Sequence, residues 1–469
     1  MINSYFKAAF IFLLLSGCAT QEYKPTPLSL YMQESRLPAI NSLPPDSLSD
    51  EENTSISLSE TLAKPKRLTL NQIIQTALKA DPRIGAAFEN ITQAEADLLT
   101  AGLVPNPQAN TDVQLLPLDR PFTVNRQGGP PQFDFDVAMP IDWFLFGKRA
   151  AAITSRRYGV DIAAADFSNI VRLRIAAAIS AFYDVLEAQA MLALAHENQN
   201  NLNRMEQIIL KRVALGGVGT IEADRIRLSL FSSRREVRTQ ELNLAGALNR
   251  LRSLIGIAGN IPINIQGTLE VIKPAKPIAT ETAFDLAEEN RPDLISLHRQ
   301  LDKANADIKL EQRKAYPEVT PSVLYARQFQ QQAIGFPDAN SWGVGVNVSV
   351  PIFDRNQGNI AKAKSLHVQS QLNIQAQLVD LRAEIDQAVK AFASSYQFLT
   401  TDDPGQLDAA KNVRDKISQA YELGGKSLLE VLDAQRTYLE TYRVHISGRS
   451  SYWHSLHQLN AVIGKEVVR

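Results

Sequence analysis

The stretch WGVGVNVSVPIFDRNQG, residues 342–358, decides how the chain folds. From Trp342 to Val350 every second residue is apolar, and the residues between them are glycine, asparagine or serine. Strict alternation predicts a β-strand with one apolar face and one polar face. A proline, a short turn and a glycine follow, and then a long run of helix-forming residues begins. A similar passage, FDFDVAMPIDWFLFGK, occupies residues 133–148, so the same strand-to-helix unit is expected twice.

Prolines and glycines recur along the chain at near-constant offsets, in the same order. Such regularity indicates a duplicated architecture, in which each copy reads helix, strand, strand, very long helix, tight turn, helix. The pairs are Pro82 and Pro292 (292 − 82 = 210), Pro107 and Pro317 (317 − 107 = 210), Pro140 and Pro351 (351 − 140 = 211), Gly147 and Gly358 (358 − 147 = 211), Gly216-Gly217 and Gly424-Gly425 (424 − 216 = 208), and Ile255-Gly256 and Ile463-Gly464 (463 − 255 = 208).

The boundaries of the two copies follow from these offsets. We predict a first repeat at 67–256, a connector at 257–279, a second repeat at 280–464 and a short tail at 465–469. The first helix is expected to begin near Leu68 and to bend at Pro82.

Long helices dominate each predicted repeat. No proline occurs between Pro140 and Pro262, and residues 147–214 (214 − 147 + 1 = 68) are predicted to form one helix of about 100 Å, which must pack against neighbours to be stable. In the second copy, Asp402-Asp403-Pro404 predicts a kink or restart, with an aspartate cap before a first-turn proline. Heptad spacing predicts coiled-coil packing of the helices after the tight turns. The heptad positions are Ala223, Leu230, Val237, Leu244 and Leu251 in one copy, and Leu432, Leu439, Ile446 and Trp453 in the other.

Composition excludes several classes of function. The chain has 469 residues, a formal net charge of -1 and one cysteine. The lack of a basic excess argues against nucleic acid as a partner, and one cysteine excludes a disulfide framework or a cysteine-ligated metal site. No phosphate-binding loop, nucleophile elbow or two-histidine metal helix occurs, so no enzyme activity, cofactor or metal is predicted. His454 and His457 could touch one ion, but they are expected simply to decorate a helix, since no acidic or cysteine ligand lies beside them in sequence.

The N-terminus, MINSYFKAAFIFLLLSGCAT, is typical of a secreted lipoprotein. Residues 1–17 form a predicted signal peptide, because the apolar run is too short to span a bilayer. The small residues ending at Cys18 resemble a bacterial lipoprotein cleavage site, with Cys18 as the lipidated terminus; an ordinary signal peptide is the alternative. Ala19 in place of aspartate implies sorting to the outer membrane. Residues 18–66 are rich in proline, serine and threonine and predict an extended tether, and no transmembrane helix is expected after it.

Each predicted repeat contributes two amphipathic strands long enough, at about 9 residues, to cross a bilayer at a tilt. Alternation alone also fits a half-buried strand of a soluble sheet. Four strands cannot close a barrel, and lipid does not tolerate an open sheet edge, so three chains would have to pool 3 × 4 = 12 strands. The predicted strands are Gln108–Leu115, Gln132–Met139, Glu318–Phe329 and Trp342–Val350, with Asp134, Asp136, Asn347 and Ser349 facing the lumen.

Four stretches together carry a family resemblance across residues 67 to 464. The chain resembles TolC-type outer-membrane efflux factors. The resemblance implies a homotrimer in which a 12-stranded barrel continues into a helical periplasmic tunnel, forming a passive exit duct of a tripartite efflux pump or type I secretion system for small toxic compounds or metal ions. The "PNP" motif is similar to the heavy-metal branch. The stretches are AGLVPNP (101–107), MPIDWFLFGKRAA (139–151), VPIFDRNQG (350–358) and AYELGGKSLLEVLDAQRTYL (420–439).

The resemblance also implies a periplasmic gate at the helical tips. Tyr421 matches the family's tyrosine, Lys426 its basic residue and Glu222 the acidic residue to which both are linked. Lysine and glutamate replace the arginine and aspartate of the best-known pattern, and lysine lacks the bidentate fork of arginine. Glu430 and Asp433 match two acids that line the entrance, where threefold symmetry would gather six carboxylates (2 × 3), raise some pKa values and attract cations.

The tips are also expected to dock partners. Around Gly216-Gly217 and Gly424-Gly425 the resemblance implies contact with a periplasmic adaptor, which works with an inner-membrane pump of the proton-driven RND type. Outer-membrane lipid is the other expected partner. Two alternatives remain open from the sequence: a periplasmic adaptor lipoprotein, and a coiled-coil scaffold without a pore.

Overall fold

The computed structural model describes residues 67–126, 128–257 and 262–468. The predicted signal peptide, Cys18 and the whole of the predicted tether at 18–66 lie outside the described residues. The contacts divide the described chain into two compact units. One comprises Asn90–Ala163 and Arg299–Ser370, and the other comprises residues 67–89, Ala164–His298 and residues 371–468.

Most of the described residues are helical, and the predicted order of elements appears in both halves. The first predicted helix is divided at Pro82: a strand ends at Leu68, and Thr69 caps the helix that follows. The helices are α1 (Leu70–Ala80), α2 (Pro82–Gly102), α3 (Asp142–Leu145), α4 (Lys148–Ala214), α5 (Thr220–Leu254), α6 (Thr280–Asn290), α7 (Pro292–Lys314), α8 (Gln330–Ile334), α9 (Gln357–Gln397), α10 (Gln406–Glu422) and α11 (Leu428–Ile463). The strands are β1 (Arg67–Leu68), β2 (Gln108–Gln114), β3 (Gln132–Ala138), β4 (Asn264–Ile265), β5 (Glu318–Gln328) and β6 (Ala339–Ser349).

The four predicted strands form one antiparallel sheet in the order β2-β3-β5-β6. Their observed bounds lie within three residues of the predicted ones at every end. Strands β3 and β5 are far apart in sequence, so their pairing joins the two repeats in one sheet. The outer strands β2 and β6 each have one side unpaired in the single chain.

One face of this sheet is mainly apolar, although Thr111 of β2, Arg327 of β5 and Asn340 of β6 also lie on it. Val344 on this face is 89 % exposed, although burial of valine is favoured. Two rows of register partners make up its middle: Phe135, Tyr325 and Trp342, and Val137, Val323 and Val344. The opposite face carries the polar residues of the alternating pattern, including Asp134, Asp136, Asn347 and Ser349.

Two apolar cores repeat each other at the offsets found in the sequence. In each, a short helix (α1 or α6) and the end of the helix after the tight turn (α5 or α11) pack on a long helix (α4 or α9). The duplication predicted from punctuating residues therefore extends to the buried side chains. Equivalent core pairs are Ala77 and Ala287, Ala178 and Ala388, Phe182 and Phe392 (392 − 182 = 210), Leu251 and Leu459, and Ile255 and Ile463.

The second long helix is interrupted where the sequence predicted, but by different means. Helix α9 ends in a π-helical turn at Phe398–Asp402, and α10 begins after Gly405, which has a φ of 78°. The predicted aspartate cap is wrong. Asp403 is buried, and its carboxylate lies 2.7 Å from His445 Nδ1 and 3.5 Å from Arg449 Nη2 of α11.

Helix α4 contains the one stretch of the described residues that is long and apolar enough to be a candidate membrane span, with a mean hydropathy of 1.3 over 18 residues. Core helices share this composition. The helix contributes Phe182, Val185 and Leu194 to buried clusters, and this packing accounts for its apolar character.

Candidate functional site

Each long helical hairpin reverses at a glycine pair. Gly216 and Gly424 have φ values of 74° and 83°, a left-handed conformation that glycine adopts without a steric penalty. The next glycine closes the helix end: Gly217 N donates to Arg212 O at 2.8 Å, and Gly425 N donates to Ala420 O at 2.8 Å. These bonds satisfy carbonyls that a helix end otherwise leaves unpaired.

The helices after the two tips begin with equivalent glutamates in different roles. Glu222 and Glu430 (430 − 222 = 208) are each the third residue after the N-cap. Before Glu430 the cap is Ser427, whose hydroxyl and main-chain N–H both bond its carboxylate, at 3.0 and 2.9 Å. Before Glu222 the cap is Gly219, which offers no side chain. The carboxylate of Glu222 is therefore available to the other hairpin.

Tyr421 of α10 makes that contact between hairpins. Its hydroxyl donates to Glu222 Oε2 at 2.9 Å, and its side chain is only 2 % exposed. Burial and the bond to Glu222 raise the pKa of Tyr421 to about 12. The phenol therefore stays protonated and can donate to the carboxylate at any physiological pH. The structure thus brings together two of the five residues matched to the family gate.

Arg212, at the end of α4, completes this contact and was missed in the sequence. Its Nη1 donates to the main-chain oxygen of Tyr421 at 3.0 Å, and its guanidinium carbon lies 5.0 Å from the centre of the Tyr421 ring. The positive charge of Arg212 is attracted to the face of the tyrosine ring. It also interacts favourably with the partial negative charge of the carbonyl groups at the C-terminal ends of α4 and α10. A basic residue in the last turn before a glycine pair was the available signal. We call Arg212, Tyr421 and Glu222 the tip set.

The remaining predicted gate residues pair within their own hairpin. Lys426 Nζ lies 2.6 Å from Glu430 Oε1, and Asp433 Oδ1 lies 2.7 Å from Arg436 Nη2. The bonds from Lys426 and Ser427 lower the pKa of Glu430 to about 2. Within one chain, the shift therefore runs opposite to the one expected for a ring of like charges. The gate role of these residues stays a prediction.

His454 and His457 do not simply decorate a helix. His454 Nε2 lies 3.1 Å from Asp184 Oδ1, so the sequence-based view that no acid lies beside the pair is wrong. His457 stacks on Tyr183, with ring centres 5.4 Å apart. Burial and the neighbouring His454 lower the pKa of His457 to about 4. Within the described residues no group of three or more His, Cys, Asp or Glu could hold a metal ion.

The side-chain contacts at the tips hold helices of the two hairpins together. A buried tyrosine, a carboxylate and a guanidinium tie three helices of two hairpins together at the tight turns. Such a set can hold the hairpin ends against each other and release them when the bonds break.

The family model described as "Outer membrane efflux protein" matches residues 73–257 and 283–465. The cobalt-zinc-cadmium resistance protein CzcC of Cupriavidus metallidurans is 24 % identical over 398 residues, which are 85 % of this chain and 90 % of that protein. The pyoverdine export outer membrane protein OpmQ of Pseudomonas aeruginosa is 23 % identical over 389 residues, 78 % of this chain and 79 % of that protein.

Solved structures share the fold described above. The outer membrane channel CmeC of Campylobacter jejuni superposes with a TM-score of 0.71 at 19 % identity, covering 90 % of this chain and 91 % of that one. The two matched segments of the family model correspond closely to the two halves seen in the cores.

Proposed function

The chain belongs to the outer membrane efflux protein family and is an outer-membrane channel of a tripartite efflux system, and on this premise we propose that it is a homotrimeric, lipid-anchored exit duct for divalent transition-metal cations, gated at its helical tips. The family consists of transport ducts, which confirms the expectation that the chain is not an enzyme. A pore-free scaffold or adaptor is not favoured by this assignment.

The four-stranded sheet is the observation that supports the trimer. Its apolar face is exposed in one chain, and both outer strands carry unpaired main-chain groups. Each unsatisfied group costs several kcal/mol in hydrocarbon, so the sheet is not stable alone in a bilayer. Three copies joined edge to edge, β2 to β6, would give 3 × 4 = 12 strands, with the apolar face toward lipid.

The anchor and partners extend the proposal. Lipidation at Cys18, outside the described residues, would tie the N-terminus to the membrane. An adaptor would dock at the tips around Gly216-Gly217 and Gly424-Gly425, and an inner-membrane pump of the proton-driven RND type would supply the energy. Repeats at 67–256 and 280–464, joined by 257–279, would each contribute one hairpin to the tunnel wall.

The tip set supports the gate. Breaking the Tyr421–Glu222 bond would remove a contact between hairpins, and a hydrogen bond to a charged group contributes about 1.5–3 kcal/mol when well shielded. Lys426, Glu430 and Asp433 would line the entrance beside it. In the trimer, Lys426 would have to exchange Glu430 for a carboxylate of another hairpin to tighten the closure.

The gate is tested by conductance in planar bilayers. The double variant Tyr421→Phe with Glu222→Gln keeps both shapes and removes the shielded bond, so we expect an open fraction raised by about tenfold. Asp224→Asn is the matched control, because that carboxylate is exposed two residues away and pairs with Arg227 of its own helix. Equal conductance in wild type, double variant and control would rule out closure at this site.

The cargo is tested in cells. The likeness to a cobalt-zinc-cadmium resistance protein motivates divalent cations, whereas the likeness to a pyoverdine exporter offers an organic cargo. A strain lacking the gene should lose tolerance to cobalt, zinc or cadmium at least fourfold and regain it on complementation. Unchanged metal tolerance with increased sensitivity to dyes or detergents would replace the metal cargo with an organic one.

A further inference from the structure

A second polar set ties the same two hairpins together, farther from the tips. It consists of Glu197 on α4, Arg414 on α10 and Tyr438 on α11, which we call the inner set. Tyr438 Oη donates to Glu197 Oε1 at 3.2 Å, and Arg414 Nη1 donates to the same oxygen at 3.1 Å. The Arg414 guanidinium carbon lies 3.9 Å from the centre of the Tyr438 ring. None of these residues was singled out from the sequence.

The inner set has the same chemistry as the tip set. In both, a tyrosine hydroxyl donates to a carboxylate of another helix, and an arginine covers the tyrosine ring. Tyr438 is 3 % exposed, comparable to Tyr421. Burial and Glu197 raise the pKa of Tyr438 to about 12, so its hydroxyl also remains a donor. A further bond, Gln435 Nε2 to Asn198 Oδ1 at 3.0 Å, joins α11 and α4 beside the inner set.

The two sets lie one after the other along the same face of α10. On α10, Tyr421, Ile417 and Arg414 are spaced four and three residues apart and share a helix face. Seven residues separate Tyr421 from Arg414 (421 − 414 = 7), which is about 10 Å along the helix. One apolar cluster, to which all four helices contribute, includes Tyr421 and packs against Ile417 of α10. Its members include Leu202, Ile209, Ala223, Ile226, Leu428 and Val431.

From this arrangement we infer that the inner set is a second lock in series with the tip set, and that it fixes how far along the hairpins an opening motion extends. The inference rests on the proposed gate. With only the tip set broken, the inner set still holds α4, α10 and α11 together, so only the last turns can separate. With both sets broken, the polar contacts on either side of Ile417 are lost, and the hairpins can part farther.

Two observations favour a lock over ordinary packing. The Arg414 side chain is almost buried, and it contacts both Glu197 and the Tyr438 ring. An apolar side chain that filled the same space would stabilise the packing at least as well, so stability alone does not explain an arginine at this position. Glu197 is about half exposed, so solvent can hydrate it when the bonds break, and the set can open without leaving an unhydrated carboxylate. A set that can open in this way suits a moving part better than a fixed core.

The test measures bilayer conductance in the trimeric channel with four combinations. Tyr438→Phe with Glu197→Gln removes the tyrosine hydrogen bond and the ion pair of the inner set, and Tyr421→Phe with Glu222→Gln removes the bond between Tyr421 and Glu222 in the tip set. We expect the inner variant to conduct like wild type, the tip variant to open partly, and the combined variant to open at least threefold more than the tip variant. Glu236→Gln added to the tip variant is the control, since Glu236 pairs with Arg443 between α5 and α11 on an exposed surface.

The outcomes separate this inference from the gate itself. A tip variant with wild-type conductance overturns the gate. A tip variant that opens but gains nothing from the inner substitutions, or gains equally from Glu236→Gln, overturns the inner lock alone. Heat-resistant trimers on gels check assembly; if the inner variant fails to assemble, Arg414→Lys, which keeps the charge but loses the planar contact, should give the same gain in the tip background.

Discussion

Asp81 and Arg291 occupy the same position in the two halves of the chain and carry opposite charges. Each precedes the proline that begins a helix, and 291 − 81 = 210. Their partners on the long helices also occupy equivalent positions and also carry opposite charges. Asp81 lies 2.5 Å from Arg174, and Arg291 lies 2.6 Å from Glu384, with 384 − 174 = 210. Pairing the halves with each other's long helix would bring like charges together, so the exchange favours one arrangement of the repeats.

These equivalent pairs should differ in their contribution to stability. Asp81 is buried, with its side chain 1 % exposed, so Arg174→Met leaves it without its cation and should lower the free energy of unfolding by about 3 kcal/mol. Glu384 is 48 % exposed, and Arg291 keeps Asp293 at 2.5 Å without it. Glu384→Gln should therefore cost less than about 1 kcal/mol. Denaturant unfolding in detergent compares the two, and equal losses would contradict the difference in burial.

Two glycines at the ends of the repeats should resist substitution to different degrees. Gly256 and Gly464 have φ values of 67° and 80°, and each lies against the last turn of a short helix. A Cβ on Gly256 would lie 2.4 Å from Ala80 O, whereas one on Gly464 would lie 3.0 Å from Asn290 O. Left-handed backbone costs a non-glycine residue about 1–2 kcal/mol, and the closer contact adds to this at Gly256. Gly256→Ala should therefore lower the midpoint of thermal unfolding more than Gly464→Ala.

The control for this pair is Gly246→Ala, within α5. A Cβ there meets nothing within 4 Å, and alanine is favoured over glycine in a helix by about 0.5–1 kcal/mol. This variant should be as stable as wild type or more stable. Loss of stability at Gly246 equal to that at Gly256 would show that the end contacts do not matter.

The sequence predicted the repeats and strands because their signals are local. Proline and glycine limit the backbone wherever they occur, so pairs such as Pro82 and Pro292 mark equivalent breaks without reference to the rest of the fold. Alternation from Trp342 to Val350 likewise depends on the pleat alone. Some observed strand ends differ from the predicted ones, because a strand ends where its pairing with the neighbouring strand ends and not where the alternating pattern ends.

The contacts of the tips could not be predicted in the same way. Arg212 and Tyr421 are separated by 421 − 212 = 209 residues, and their contact depends on how α4 and α10 are rotated about their axes. Nothing in the sequence near Asp403 shows that it faces His445 and Arg449 rather than capping a helix. The family resemblance predicted that Glu222 lies near Tyr421. The structure adds the reason why the Glu222 carboxylate can bond Tyr421: the helix cap before it is Gly219, which has no side chain to bond that carboxylate.

Substitutions of Asp403 test whether its carboxylate caps a helix or instead pairs with side chains of α11. If its carboxylate acted as a helix cap, Asp403→Ser would be tolerated, since serine is also a good cap. In the structure it is the buried partner of His445 and Arg449. Both Asp403→Ser and Asp403→Asn should therefore lower the free energy of unfolding, by about 3 kcal/mol. Asp402→Ser, at the exposed neighbouring position, is the control and should change it little; stability retained in Asp403→Ser would restore the cap.

His457 should make the fold sensitive to acid. Burial and His454 lower the pKa of His457 from 6.5 to about 4, so between these values the unfolded chain binds a proton that the folded chain does not. Stability then falls as the pH is lowered through this window, by about 2 kcal/mol from pH 6.5 to pH 5. His457→Phe removes the titrating group and keeps a ring to stack on Tyr183.

The fall in the thermal midpoint between pH 7 and pH 5 should therefore be smaller in His457→Phe than in wild type. The control is His196→Phe, on an exposed part of α4, which should behave like wild type. A fall of equal size in all three proteins would mean that the acid sensitivity arises from other groups.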